Sequence, residues 1–138
     1  MKLIYLFLML ILIGCTAADV RPLGIIEGKV SIGPLCGYAI DPNSDNPCRL
    51  TNEELDRIYG EYTVILSSEN SYIAPLRKKL NRTGVFLFEV EDGSYKVYLE
   101  SAIQNALAFS VKTSIEKTVK VSSQQRVFVE LNVNTGRP

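Results

Sequence analysis

Residues 25–48, IIEGKVSIGPLCGYAIDPNSDNPC, join an alternating apolar segment to a loop between two cysteines. In residues 25–32 the even-numbered positions from 26 onward share one face, and mostly polar residues lie between them. A period of two predicts a half-buried β-strand. Gly33-Pro34 ends that strand, and the loop that follows is rich in Asp, Asn and Pro, which favour turns. We therefore expect the first strand of the domain to lead directly into the segment between Cys36 and Cys48.

The first 15 residues are similar to the export signal of a lipoprotein. Lys2 precedes eleven consecutive apolar residues, 3–13. A membrane span needs about 20 such residues, so this run is too short to cross a bilayer but suits the core of a signal peptide. Residues 12–15, Leu-Ile-Gly-Cys, resemble the lipobox of secreted lipoproteins: an aliphatic residue, a small or aliphatic one, a small one and then Cys.

The lipobox resemblance implies cleavage before Cys15 and lipid on its sulfur. Residues 1–14 are then a signal peptide, and residues 15–24 are a lipidated tether. Because each buried CH₂ of an acyl chain contributes about 0.8 kcal/mol, two or more chains hold a protein firmly at a membrane. The expected location is extracytoplasmic and membrane-anchored, as a cell-envelope lipoprotein. The alternatives are an ordinary signal peptide whose cysteine lies near the cleavage site by chance, or an uncleaved anchor.

Cys36 and Cys48 are the two cysteines that remain once Cys15 is assigned to lipid. An even pair in an oxidising compartment is typical of a disulfide. A pair of free thiols is the alternative. In the chain-entropy model, a bridge that closes a loop of this size stabilises the fold by roughly 3 kcal/mol.

The middle of the chain begins with a helical pattern. Thr51 and Glu54 have the spacing of a capping box, and Leu55, Ile58 and Tyr59 recur at helical spacing. We expect one helix of about two turns over residues 51–60. A helix this short is unstable alone, so it must pack through its apolar residues.

The rest of the chain has the alternation of β-strands. Pro75 places one of these strands near a sheet edge, and Asp92-Gly93 has the signature of a hairpin turn. No strand-helix-strand alternation is present, so the prediction is an all-β, antiparallel Greek-key β-sandwich of about seven strands with a short inserted helix. Its domain spans residues 25–138. The candidate strands, after the first at 25–32, are residues 62–67, 72–80, 85–90, 95–100, 107–113, 117–122 and 127–133.

Three segments resemble the carboxypeptidase-regulatory-like, or transthyretin-like, β-sandwich module. Residues 28–36, GKVSIGPLC, with Cys48 after them, are similar to the G-x-V-x-x-G-P-x-C…C opening of small secreted proteins of this type. Residues 83–88 and 92–97 resemble its central hairpin, and residues 134–137, NTGR, resemble its close. The chain departs from the pattern at Gly37 and Asp92, where the family has Pro. The resemblance implies a non-catalytic extracytoplasmic module used for stability, spacing or recognition.

Several polar residues are candidates for chemistry. Asp41, Asn43 and Asp45 have the D-x-N-x-D spacing that begins a calcium loop, although the sixth and twelfth positions do not fit it, and turn formation explains the same residues. No other metal site and no cofactor is expected. Glu89 and Glu91 share a face at a strand end, as a carboxylate pair or as edge charges that discourage aggregation.

Composition narrows the range of functions. The chain has no His, which removes Ser-His-Asp and Cys-His catalysis and most zinc sites. Its 15 basic and 15 acidic residues cancel, which argues against a nucleic-acid partner. No small-molecule substrate is identified. Tyr38 and Tyr98 are candidates for surface recognition, with ordinary packing under loops as the alternative.

The leading hypothesis is a membrane-tethered, non-enzymatic binding or structural module whose partners are the membrane, through lipid on Cys15, and a protein of the envelope. One alternative is an inhibitor of an extracellular enzyme that presents residues 36–48 as a constrained segment. Another alternative is an accessory subunit of an envelope complex.

Overall fold

The computed structural model describes residues 21–36, 48–70 and 72–136. Within these residues the chain forms seven strands and two short helices, arranged in two sheets. In chain order they are β1 (Gly24–Gly33), α1 (Asn52–Gly60), β2 (Tyr62–Ser68), β3 (Leu76–Lys79), β4 (Val85–Val90), β5 (Gly93–Ser101), α2 (Lys112–Ile115), β6 (Glu116–Val121) and β7 (Arg126–Asn134). One sheet has the order β4-β1-β7, and the second has the order β3-β2-β5-β6. The all-β sandwich fold is confirmed.

Strands that are distant in sequence lie side by side, as a Greek-key arrangement requires. β1 pairs with β4 on one side and with β7 on the other. The β1–β7 pair is parallel, whereas every other pairing among the described strands is antiparallel. The sandwich is therefore mixed rather than purely antiparallel. Its first and last strands are neighbours in one sheet, and the chain between them crosses from one sheet to the other and back.

The core lies between the inner faces of the two sheets. The even-numbered residues of β1 and β4 and the odd-numbered residues of β5 and β7 supply most of it, as their alternation predicts. The largest fully buried side chain is Phe86. Its ring lies against Gly28 of β1, where an added Cβ would meet the carbonyl oxygen of Val129 at 2.0 Å and the Phe86 ring at 2.5 Å. Glycine at this position therefore lets three strands approach closely.

Helix α1 forms as the sequence predicts. The Thr51 side chain accepts a hydrogen bond from the backbone N–H of Glu54, and the Glu54 carboxylate accepts one from the backbone N–H of Thr51. The Thr51 backbone N–H and the Thr51 hydroxyl both donate to the Glu54 carboxylate, and these two hydrogen bonds lower the pKa of Glu54. Asp56 accepts hydrogen bonds from the backbone N–H and the guanidinium of Arg82, and these lower the pKa of Asp56. The helix is thus fixed to the β3–β4 connection, and Ile58 packs against the core.

Two local predictions are wrong. Residues 107–113 form turns and the start of α2 rather than a strand, and Phe109 and Val111 stay exposed. Asp92-Gly93 does not close a hairpin, since β4 and β5 belong to different sheets. It is a corner between the sheets, where the Tyr95 hydroxyl donates a hydrogen bond to the carbonyl of Glu91 at 2.9 Å.

No helix among the described residues is both long enough and apolar enough to cross a membrane.

Candidate functional site

The disulfide lies at one end of the sandwich. β1 ends at Gly33, a cis peptide bond leads into Pro34, and Cys36 then bonds to Cys48 with their Cα atoms 5.7 Å apart. The predicted disulfide is confirmed. The end of β7 is held at the same place, because the Thr135 backbone N–H donates to the Gly33 carbonyl at 3.1 Å. The end of β1, the disulfide and the end of β7 therefore lie together at one end of the domain.

The chain enters the domain at the opposite end. There the Leu23 carbonyl accepts a hydrogen bond from the backbone N–H of Gln124, in the β6–β7 turn. β1 has ten residues, and a strand rises about 3.3 Å per residue, so the two ends are about 30 Å apart. Any anchor that precedes residue 21 therefore joins the domain at the end remote from the disulfide.

An apolar cleft of about 330 Å³ opens at the disulfide end. Its walls come from the residue before Cys36, from α1, from the start of β2 and from the segment after β5. The apolar lining residues are Leu35, Ile58, Tyr62, Ile103 and Ala106. Half of the Ile103 side chain is exposed. Three separate stretches of the chain, around residues 35, 57–62 and 103–106, thus build one concave apolar surface, which we call the disulfide-end cleft.

Two charged side chains, Arg57 and Glu61, also line this cleft. They lie four residues apart at the end of α1, and neither forms an ion pair with any residue in the part of the chain that the structure describes. Burial raises the pKa of Tyr62, and the charge of the neighbouring Glu61 raises it further, so the Tyr62 hydroxyl is neutral at physiological pH. The cleft therefore offers an apolar floor with one cation and one anion unsatisfied.

A second cleft, of about 420 Å³, lies at the opposite end, between β4 and β3. Its apolar lining includes Leu66, Ile73 and Leu76. Glu89 and Glu91, which the sequence placed on one face of a strand end, both line it and are both exposed. The two carboxylates make no ion pair within the described residues.

The remaining predicted site residues are divided between described and undescribed segments. Cys15 and the calcium candidates Asp41, Asn43 and Asp45 lie outside the described residues, as does Tyr38. Within the described ranges no three acidic, Cys or His side chains are grouped as a metal site requires.

Tyr98 lies directly opposite the buried Ile65 on the outer face of the four-stranded sheet and is itself half-buried. This placement fits the packing alternative for Tyr98.

Sequence reasoning did not single out Arg57, Glu61 or Ile103. The helical pattern placed Ile58 on a packing face, but nothing in the sequence indicates that residues 35, 57 and 103 meet. The sequence shows only that Arg57 is a charged residue beside the apolar residues of a helix. That pattern is also typical of an ordinary solvent-exposed helix, so it does not indicate a binding site.

Comparison with protein families and with curated proteins finds no match. Among solved structures, the chain is similar to a DUF3823 family protein from Parabacteroides merdae, at 15% identity and a TM-score of 0.45. The similar region covers 82% of this chain and 46% of that protein, so the chain spans about half of its length.

Proposed function

We propose that this protein is a lipid-anchored, non-catalytic binding module of the cell envelope, and that the disulfide-end cleft is its recognition surface. The lipobox resemblance at residues 12–15 supports the anchor. The resemblance to carboxypeptidase-regulatory-like modules supports a binding role. Two residues of the opening motif support this resemblance: Gly28 allows the close approach of neighbouring strands, and Cys36 forms the disulfide.

The observation that carries the proposal is the position of the cleft relative to the tether. Lipid on Cys15 would hold the Leu23 end of the sandwich near the membrane. The cleft would then face away from the bilayer, about 30 Å farther out along β1. A partner in the envelope space reaches that end without obstruction from the lipid surface.

The chemistry of the cleft indicates what kind of partner it accepts. The apolar floor accommodates one or two apolar side chains. Arg57 pairs with a carboxylate of the partner and Glu61 with a cation, and a protein segment of mixed charge supplies both groups. Each group is one that the cleft leaves unpaired within the described residues, so binding costs no existing ion pair.

Site-specific photo-crosslinking in living cells tests the proposal. A photoreactive residue at position 103 is compared with one at position 128, because Phe128 is also exposed (64%) but lies on the outer face of the three-stranded sheet. We expect an adduct with an envelope protein from position 103, and we expect Arg57→Glu to abolish it. Adducts from position 128 alone, or an adduct from position 103 that Arg57→Glu leaves unchanged, would contradict the assignment.

A further inference from the structure

The outer edge of β4 has backbone groups that lack a partner among the described residues. The Val30 N–H donates to the Gly84 carbonyl at 2.8 Å. Because hydrogen-bonded pairs in an antiparallel ladder recur every second residue, the even-numbered residues of β4 bond to β1. The odd-numbered residues, Val85, Leu87 and Glu89, direct their N–H and carbonyl groups away from β1.

One of these outward donors is already satisfied. The Val85 N–H donates to the Thr83 hydroxyl at 3.3 Å. The N–H groups of Leu87 and Glu89 make no hydrogen bond to another described residue. Two donors and three carbonyls are therefore presented in a row, at the spacing of a strand.

The other sheet edges are protected in ways that β4 is not. β3 follows Pro75 and carries Lys78 and Lys79, and β6 carries two lysines. The Asn134 backbone N–H of β7 donates to the Ser110 hydroxyl, and α2 packs on β7. Lysine, proline and covering elements are the usual protections against pairing at an edge. The six residues of β4, VFLFEV, contain one charge and neither lysine nor proline.

The seven described strands leave room for one more strand beside this edge. Three strands face four, and β7 packs against β6 at one side. At the other side the two sheets are therefore offset by one strand, so that β3 extends beyond β4 and no described strand lies above it. Leu76 pairs with the buried Leu66 and thus points to the inner side of its sheet, yet 44% of it is exposed. Ile73, which lines the same cleft, is 48% exposed.

We propose that β4 accepts an extended segment of another protein as an added antiparallel strand, which fills this place above β3. Main-chain hydrogen bonds to Leu87 and Glu89 would give affinity, and alternate apolar side chains of the segment would cover Leu76 and Ile73. Glu89 and Glu91 at the end of the cleft select a lysine or arginine at the corresponding end of the segment. The occupant is thus a single strand with alternating apolar residues and a basic end.

A second copy of this chain does not fit the same place. If β4 paired with β4 of a second copy, the second sheet of that copy would come with it. The β2 strand of the second copy would then occupy the position that β3 of the first copy already holds. A linker or tail that carries no second sheet avoids this conflict. The surface is also separate from the disulfide-end cleft, so the two proposals succeed or fail independently.

Binding of a synthetic peptide to the full chain in detergent micelles tests the inference. The probe is a fluorescein-labelled peptide, Lys-Val-Thr-Val-Thr-Val-Thr, followed by anisotropy. Its controls are the same peptide with Glu in place of Lys, and the same peptide N-methylated at alternate residues. We expect the Lys peptide to bind at least tenfold more tightly than either control. Equal binding of the N-methylated peptide would overturn the proposal.

Two variants distinguish pairing at the β4 edge from non-specific binding of the peptide. Leu87→Pro removes an outward N–H without breaking the ladder to β1, and Leu87→Val keeps that N–H. We expect Leu87→Pro to weaken binding at least tenfold while its circular dichroism stays that of the native protein, and we expect Leu87→Val to bind normally. Glu89→Lys should shift the preference to the Glu peptide. Unchanged affinity in Leu87→Pro would refute strand addition.

Amide hydrogen exchange, followed by NMR, identifies the occupant. In the peptide-free protein the amides of Leu87 and Glu89 should exchange rapidly, and the Lys peptide should slow both at least tenfold. Slow exchange before peptide is added would mean that the edge is already filled. If that protection depends on protein concentration, a second copy occupies the edge; if it does not, another segment of this chain does. Either result would overturn the proposal.

Discussion

Gly28→Ala should severely destabilise this sandwich, whereas Gly33→Ala in the same strand should not. A Cβ on residue 28 would lie 2.0 Å from the Val129 carbonyl oxygen and 2.5 Å from the Phe86 ring, whereas a Cβ on residue 33 meets nothing within 4 Å. The nearest atom at residue 28 belongs to the backbone of β7, so relief requires β1 and β7 to separate.

The size of the effect follows from this contact. Overpacking of a core costs roughly 1–3 kcal/mol, and a clash with backbone places Gly28→Ala at the upper end, at about 3 kcal/mol. For a domain of this size each kcal/mol shifts Tm by about 4 °C, so the expected loss is about 12 °C. Gly33→Ala should be neutral or stabilise slightly, by up to about 1 kcal/mol, because alanine reduces the entropy of the unfolded chain.

Urea unfolding followed by far-UV circular dichroism measures both variants. Phe86→Leu combined with Gly28→Ala is a further control, because a smaller side chain relieves the contact with the ring but not the contact with the carbonyl. The double variant should lose less stability than the sum of the single variants. Equal stability of Gly28→Ala and Gly33→Ala would refute the close approach of β1, β4 and β7 at this point.

Three further predictions follow from local contacts. Replacing Cys36 and Cys48 together by Ser should lower the free energy of unfolding by about 3 kcal/mol, and a loss below about 1 kcal/mol in urea titrations would show that the bridge constrains little. Thr51→Ala should cost about 1 kcal/mol by removing the helix cap, whereas Thr51→Ser should retain most of it in the same assay. The lowered pKa values of Glu54 and Asp56 mean that their charged forms favour the folded state, so this contribution is present at neutral pH and is lost as pH falls below their ordinary values of 4.5 and 3.8. Urea midpoints between about pH 6 and pH 3 should therefore fall, and less steeply in Asp56→Asn; an identical slope in that variant would argue against the contact with Arg82.

Much of the fold is predictable from sequence because its signals are local. The capping box of α1 needs only Thr51 and Glu54, and the alternation in β4 needs only its own six residues. Residues 107–113 show the limit of such signals. Their alternation matches that of a strand, but a strand also needs a partner strand, and these residues form turns and the start of α2 without pairing to a described strand.

The candidate surfaces depend on the topology, and so sequence reasoning did not find them. Leu35, Arg57 and Ile103 line one cleft although they lie far apart in the chain. The sequence of β4, VFLFEV, likewise does not indicate that the strand lies at a sheet edge, since it fits a central strand equally well. The disulfide was predictable, because the pairing needed the count of cysteines and not their positions in space, and the common face of Glu89 and Glu91 was predictable from the alternation of β4.

The proposed lipid anchor would determine which end of the sandwich faces outward, and mass spectrometry of the mature protein from membranes tests it most directly. We expect an N-terminal peptide that begins at Cys15 and carries a diacylglyceryl group on the sulfur. A soluble protein with an unmodified Cys15, or one that begins beyond it, would contradict the account.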